Sequence, residues 1–353
     1  MTSVSLGIPV VRSTGGPDPA RPDHPGLLDR YGRLATDLRV SLTDKCNLRC
    51  TYCMPPEGLD WMPEDQTLTD DEVVRAVRLA VEHLGVRQVR YTGGEPLLRR
   101  GLEQIVSQIT SIHPRPRVSL TSNGIGLDRR AEALAAAGLD RVNISLDTLD
   151  PERFRQISLR NQHKKVLEGL RAAADTDLRP VKVNTVLVRG MNDDEALPLL
   201  RYCLEHGYEL RFIEQMPLDA QHGWDRSSMV TAAEIMNTIR SEYRLDPHPE
   251  QRGSAPAEKF LVDGGPATVG IIASVSEPFC ADCDRTRLTA DGQLRSCLFS
   301  QGETDLRGQM RSGADDEQLA DLWRDTMWRK AAGHGIDDPG FVQPTRPMSA
   351  IGG

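Results

Sequence analysis

The chain has 353 residues, 39% hydrophobic and 27% charged, with a formal net charge of −8. That length accommodates one large domain with a smaller companion, and an acidic balance lacks the basic face that binding along a phosphate backbone needs, which excludes nucleic acid as a partner. No apolar run reaches the ~18–20 residues of a membrane helix and the first 30 residues lack a signal-peptide core, so the expectation is a cytoplasmic protein without membrane contact.

Residues 1–30 are rich in proline and glycine without a sustained period and read as a flexible leader. DLRVSL (37–42) is strand-like, and a loop carrying Cys46, Cys50 and Cys53 follows it. Thr69 and Glu72 have capping-box spacing ahead of a one-sided apolar helix that ends at Gly85. The cycle recurs with strands at 86–92, 117–122, 141–147, 181–188 and 209–216, and Gly138 and Gly207 serve as helix stops.

Six strands alternating with helices imply a parallel sheet. A full eight-stranded barrel takes ~250 residues, so the expected fold is α/β, an incomplete (βα)6 TIM-like barrel. A doubly wound open sheet is the alternative that periodicity leaves open. The expected division is a leader (1–30), a partial barrel (31–219) and a smaller C-terminal domain (220–353) over its open side or mouth. Polar residues cluster at the carboxyl ends of the strands, the face where barrel enzymes do chemistry.

Six of the seven cysteines form two triads, and grouped cysteines in a reducing compartment read as metal ligands. The seventh, Cys203, reads as a small buried hydrophobe. Cys46-x3-Cys50-x2-Cys53 supplies three thiolates, which suit a cubane cluster with one open iron; a structural zinc with a distant histidine is the other reading. Cys280-x2-Cys283-x13-Cys297 repeats the pattern with no histidine between its members, and zinc stays open there too.

The first triad after the first strand, with Tyr52 inside it and Gly93-Gly94-Glu95-Pro96 after the second strand, resembles the radical S-adenosylmethionine superfamily. The resemblance implies a [4Fe-4S] cluster that cleaves S-adenosylmethionine to a 5′-deoxyadenosyl radical. It further implies cofactor contacts at Tyr52, Gly94, Ser145 and Met216. Two triads in this order, Arg285-Thr286-Arg287 after the second, and a terminal Gly352-Gly353 narrow the resemblance to the GTP 3′,8-cyclase family of molybdenum cofactor biosynthesis. This narrower resemblance implies a second [4Fe-4S] cluster, cyclisation of GTP to 3′,8-cyclo-7,8-dihydroguanosine 5′-triphosphate, and substrate contacts at Arg39, Arg90, Thr121, Lys182, Arg285, Thr286 and Arg287. Several guanidinium groups are also what a triphosphate demands chemically. Implied partners are GTP, an external one-electron reductant, and the next enzyme of the pathway as recipient of the product. Monomer and homodimer both stay open. A radical peptide maturase with an auxiliary cluster, or a non-catalytic zinc or iron–sulfur module, are the competing functions.

Overall fold

Strands with apolar residues at alternate positions, separated by helices apolar on one side, assemble as two layers around a shared core. Residues 18–352 are described by the structure, a computed structural model. The strands are β1 (Asp37–Ser41), β2 (Gln88–Thr92), β3 (Arg117–Ser122), β4 (Arg141–Ser145), β5 (Lys182–Val186), β6 (Glu209–Ile213), β7 (Leu245–Pro247), β8 (Glu258–Val262), β9 (Thr268–Ile272), β10 (Arg285–Leu288), β11 (Gln293–Arg295) and β12 (Thr304–Asp305). The helices are α1 (Asp70–Leu84), α2 (Leu102–Thr110), α3 (Ala131–Ala136), α4 (Pro151–Ser158), α5 (His163–Ala174), α6 (Ala196–His206), α7 (Ala232–Arg240), α8 (Leu306–Arg311), α9 (Asp316–Trp328) and α10 (Met348–Ile351).

Local chemistry accounts for the boundaries. Both halves of the capping box at Thr69 and Glu72 form, and Gly85 closes α1 in the left-handed region at φ 76°. Gly207 ends α6 in the same way at φ 68°. Cys203, on α6, is buried as expected, and burial pushes its thiol up to about 12.

The strands form one sheet in the order β12-β11-β10-β1-β2-β3-β4-β5-β6-β9-β8-β7. β1 to β6 pair in parallel, as the six expected units require. β10 adds a parallel neighbour to β1, and β9 adds one to β6. Antiparallel β11–β12 and β7–β8 then finish the two edges, and the outermost strands do not join.

The two faces of this sheet are chemically different. Leu38, Val40, Val89, Val118, Leu120, Val142 and Phe212 belong to the apolar core with the helices. Their strand neighbours Arg39, Arg90, Ser119, Asn143 and Arg211 are buried and polar. A doubly wound sheet is apolar on both faces, so the open barrel is the fold.

Residues beyond 220 behave differently from the expectation of a domain set over the barrel. Their strands extend both edges of the same sheet, and one apolar core takes in residues from Leu27 to Met327. A small second cluster joins Ile351 of α10 to Leu218, Leu298 and Phe299.

The expected leader needs correction from residue 18 onward. Leu27 is fully buried, Arg21 pairs with Asp325 at 2.8 Å, and Arg324 Nε donates to the Pro25 carbonyl at 3.1 Å. Buried apolar area and ion pairs strap this segment to α9, which proline and glycine content could not foretell. Residues 1–17 of the leader lie outside the described residues. No helix among the described residues is long and apolar enough to cross a membrane.

Candidate functional site: two joined cavities inside the open barrel

Residues from β1, β2, β6, β9 and β10, taken from opposite halves of the sheet, face a common interior. Two cavities open there. The first, about 250 Å³, is lined by Cys46, Cys50, Cys53, Tyr52, Gly94, Ser145 and Asp147 among others. The second, about 160 Å³, is lined by Cys280, Cys283, Cys297, Arg39, Arg90, Arg211, Arg285 and Arg287. Thr121, Asn184, Ile213 and Met216 line both, so the cavities share a wall.

The loop after β1 brings the first triad together. The Cys53 amide donates to the Cys50 carbonyl at 2.8 Å, and the Leu48 amide approaches Cys46 Sγ at 3.5 Å. Burial pushes the Cys46 thiol up to about 11. Burial, reinforced by Cys46, takes Cys53 up to about 12. Cys50 is also raised, by burial and then by Asp147 and the two other thiols. Thiolates set side by side in this way repel each other and need a shared cationic centre. Among the described residues, no group of three or more His, Cys, Asp or Glu side chains is disposed to hold a single metal ion. Soft donors spread along one cavity wall fit a polynuclear iron–sulfur group better than a lone zinc.

Gly93 and Gly94 have a packing reason that reaches the same loop. The Gly94 amide donates to the Thr43 carbonyl at 2.7 Å and the Glu95 amide to that of Lys45 at 2.7 Å. A Cβ on Gly94 would sit 2.3 Å from the Lys45 carbonyl oxygen, so only glycine permits this approach. Glu95 continues the brace, accepting from Ser122 Oγ and the Asn123 amide, both at 2.7 Å. Burial lifts its carboxyl to about 7, against the pull of these donors. Tyr52 Oη donates to Asp147 Oδ2 at 2.5 Å, which fixes the phenol of this residue between Cys50 and Cys53 in sequence.

The second cavity is dominated by cations. Arg287, Arg39 and Arg90 are direct neighbours across β10, β1 and β2. With Arg211 and Arg285 they give five lining guanidinium groups and, among the described residues, no lining carboxylate. Like charges opposed in register are destabilising unless an anion lies between them. Burial, with repulsion from Arg39, takes Arg287 down to about 9; burial also lowers Arg211 to about 10 and Arg90 well below its ordinary value. Asp37 answers only part of this charge. Although burial raises its carboxyl, Arg39 and Arg90 outweigh that and hold it at about 2. An excess of buried positive charge is a binding site for a polyanion.

Around the second triad, Arg285 lies 4.8 Å from the Phe279 ring centroid, and Phe299 packs against His334 at 5.3 Å. Burial raises Cys280. Cys283 differs: burial pushes its thiol up, but Arg285 and Lys330 outweigh burial and bring it to about 7. The C-terminal end enters the same region. Met348 and Ser349 line the first cavity, Ser41 Oγ donates to the Ile351 carbonyl at 2.8 Å, and Arg287 donates to the Gly352 carbonyl. A Cβ on Gly352 would meet Ser41 Oγ at 2.2 Å, and its φ of 84° suits only glycine. Gly353 lies outside the described residues.

Two expected contacts fall elsewhere. Thr286 is fully buried on the other face of β10, where its hydroxyl accepts from Trp323 Nε1 at 2.9 Å. Residue alternation along a strand sends Arg285 and Arg287 inward and Thr286 outward. Lys182 reaches neither cavity; it pairs with Glu209, its register partner on β6. Conversely, Arg211 lines the second cavity without being among the expected contacts. The period of two in ELRFI, with Leu210 and Phe212 apolar, marks it as inward-facing and is the signal that could have found it. His334 lies 37 residues beyond Cys297 in sequence, and only folding brings it to the second cavity.

Comparison with known proteins agrees with this geometry. Residues 40–203 match the family model described as the radical SAM superfamily, and residues 208–336 match the one described as Molybdenum Cofactor Synthesis C. The chain is 64% identical over 328 residues to a GTP 3′,8-cyclase of Streptomyces coelicolor, covering 93% of this chain and 96% of that protein. It is 58% identical over 353 residues to a GTP 3′,8-cyclase of Mycobacterium sp. (strain KMS), and 57% identical over 362 residues to one of Mycolicibacterium smegmatis, each alignment covering both chains in full. With such identity sustained along its whole length, the chain belongs to the GTP 3′,8-cyclase family.

Proposed function

We propose that this protein is a radical S-adenosylmethionine enzyme that cyclises GTP to 3′,8-cyclo-7,8-dihydroguanosine 5′-triphosphate, an early step of molybdenum cofactor biosynthesis. The observation that carries the reading is the shared wall: a thiol-lined cavity opens directly beside one lined by five guanidinium groups. Radical chemistry needs the radical source and the substrate adjacent and shielded from water.

Cys46, Cys50 and Cys53 would hold an iron–sulfur cluster that, when bound, supplies one electron for cleavage of S-adenosylmethionine. Tyr52, held by Asp147, gives the cofactor a fixed aromatic surface, and Gly94 leaves room for close backbone approach. Ser145 and Met216 complete that side, Met216 standing in the wall between cofactor and substrate. Arg39, Arg90, Arg285 and Arg287 bind the triphosphate, with Arg211 beside them. Lys182, neutralised by Glu209 outside both cavities, is left out of the phosphate contacts. Thr121, on the shared wall, orients the ribose. Cys280, Cys283 and Cys297 would hold a second [4Fe-4S] cluster next to the base. The Gly352 carbonyl and Arg287 hold the C-terminal end against this site.

The partners that this chemistry implies are GTP, an external one-electron reductant and a downstream enzyme that takes up the product. The test is anaerobic reconstitution followed by addition of S-adenosylmethionine, GTP and a strong reductant. Deoxyadenosine should form together with the cyclised nucleotide. Zinc in place of iron, or deoxyadenosine that never depends on GTP and brings no cyclised product, would sink the reading.

A further inference from the structure

Two cations that line neither cavity hold the second cysteine triad from behind. Lys330, 3% exposed, stands just past the end of α9. Its ammonium donates to the carbonyl oxygens of Cys283 (3.0 Å) and Arg285 (2.9 Å) and to Cys283 Sγ (3.3 Å). Arg33 approaches from the N-terminal segment. Its Nη1 donates to the carbonyl oxygens of Cys280 (2.6 Å) and Ala332 (2.8 Å), and its Nη2 to that of Ala331 (2.6 Å). Buried Asp29 takes Arg33 Nε at 2.5 Å and so fixes the guanidinium. The two side chains meet in one short run, 330–332, and each holds the carbonyl of a triad cysteine.

A buried ammonium needs more than donors satisfied; its charge needs an opposite charge. The two carbonyls answer the hydrogen bonds of Lys330, and Cys283 sulfur is the one anion-forming group among its described partners. That arrangement suits a sulfur that stays negative, as a cluster ligand does. Hydrogen bonds to ligand sulfur and nearby charge are also main controls on the potential of an iron–sulfur group.

We propose that Lys330 is a positioning residue of the second cluster, which fixes the Cys283 loop and raises the reduction potential of the group bound there, while Arg33 braces the Cys280 side of the same loop. The proposal rests on the reading that Cys280, Cys283 and Cys297 hold a cluster. It gives the packed N-terminal segment a role at the second triad, with Arg33 and Cys280 lying 247 residues apart in sequence.

The test uses the anaerobically reconstituted full chain and reads iron per chain and cluster midpoint potentials by spectroscopic redox titration. Wild-type protein should hold about eight irons, two four-iron groups; about four would sink the two-cluster reading itself. Given eight, Lys330→Met should shift the second potential to more negative values and leave the first unchanged, with Lys330→Arg restoring most of the shift. Lys330→Gln, which keeps neutral N–H donors, should give the same negative shift and guards against a folding failure of the methionine variant. Arg33→Met should lose second-cluster iron selectively. Wild-type potentials and iron counts in both Lys330→Gln and Arg33→Met would overturn the proposal.

Discussion

The two cysteine triads resemble each other in sequence and differ in their surroundings. The first is drawn from eight consecutive residues of one loop, and its thiols face Asp147, Glu95 and one another. The second is spread over 18 residues with β10 and β11 between its members, and it sits among Arg285, Arg287 and Lys330. All three thiols of the first site are pushed up, whereas Cys283 of the second is pulled down to about 7. The lesson is a division of labour written in electrostatics. Burial, helped by Asp147 and Glu95, keeps the first thiols protonated in the free protein, whereas Arg285 and Lys330 outweigh burial and let Cys283 ionise beside a cavity lined by cations.

The sharpest way to break this comparison is to remove one ligand from each triad. Cys50→Ala should abolish both deoxyadenosine and cyclised nucleotide. Cys297→Ala should keep the first iron–sulfur group and lose cyclisation alone. Chromatography of both products decides it, and a fully active Cys297→Ala enzyme would strip the second site of its substrate role.

Thiol reactivity should separate the sites without any mutation. A thiol with a pKa of about 7 is largely ionised near pH 8, while one at about 12 is not. Part of that advantage is offset by the lower intrinsic nucleophilicity of the more acidic thiol. In iron-free, reduced protein, Cys283 should therefore be alkylated roughly a hundredfold faster than Cys53. Raising the pH should narrow the gap, because Cys53 gains thiolate after Cys283 has saturated. Peptide mass spectrometry after timed iodoacetamide labelling reads both rates; equal rates would mean that the two environments do not differ as described.

The cationic cavity makes a graded prediction. Arg90→Ala should remove the charge-assisted phosphate contact proposed for it, about 1.5–3 kcal/mol, or about tenfold to a hundredfold in GTP affinity. S-adenosylmethionine binding should be unaffected, because Arg90 lines only the second cavity. Calorimetric titration of each ligand checks it. The smallest effect concerns Thr286. Thr286→Val leaves the buried Trp323 N–H without its acceptor, for a loss of about 1–3 kcal/mol in urea unfolding of the apo-protein, with GTP affinity unchanged. Weakened GTP binding in that variant would restore the substrate contact that strand parity takes away.

How much was legible in the chain depended on whether the signal was local. The strand at 117–122, the cap at Thr69, the stop at Gly207 and both triads are short-range patterns in which spacing dictates geometry. Arg285 and Arg287 also follow from local alternation, and the same rule, applied strictly, would have removed Thr286 and found Arg211. Lys182 failed for a different reason: its partner Glu209 comes from the next strand, and only the β5–β6 register sets the two side by side.

By itself, then, the amino-acid sequence determined six strand–helix units, two cysteine triads and the chemistry their spacing allows. Tertiary structure alone decided that strands after residue 220 would extend both edges of one sheet, and that residues 18–30 of the expected leader would be strapped to α9 with Leu27 in the core. It also decided that Arg287, Arg39 and Arg90 would stand in a row, and that Lys330 would lie against Cys283. Each of these rests on contacts between residues far apart in the chain, which depend on how the sheet curls and which faces meet. The first triad is a local motif that the chain carries wherever it folds; the second becomes a site only when the sheet curls around it.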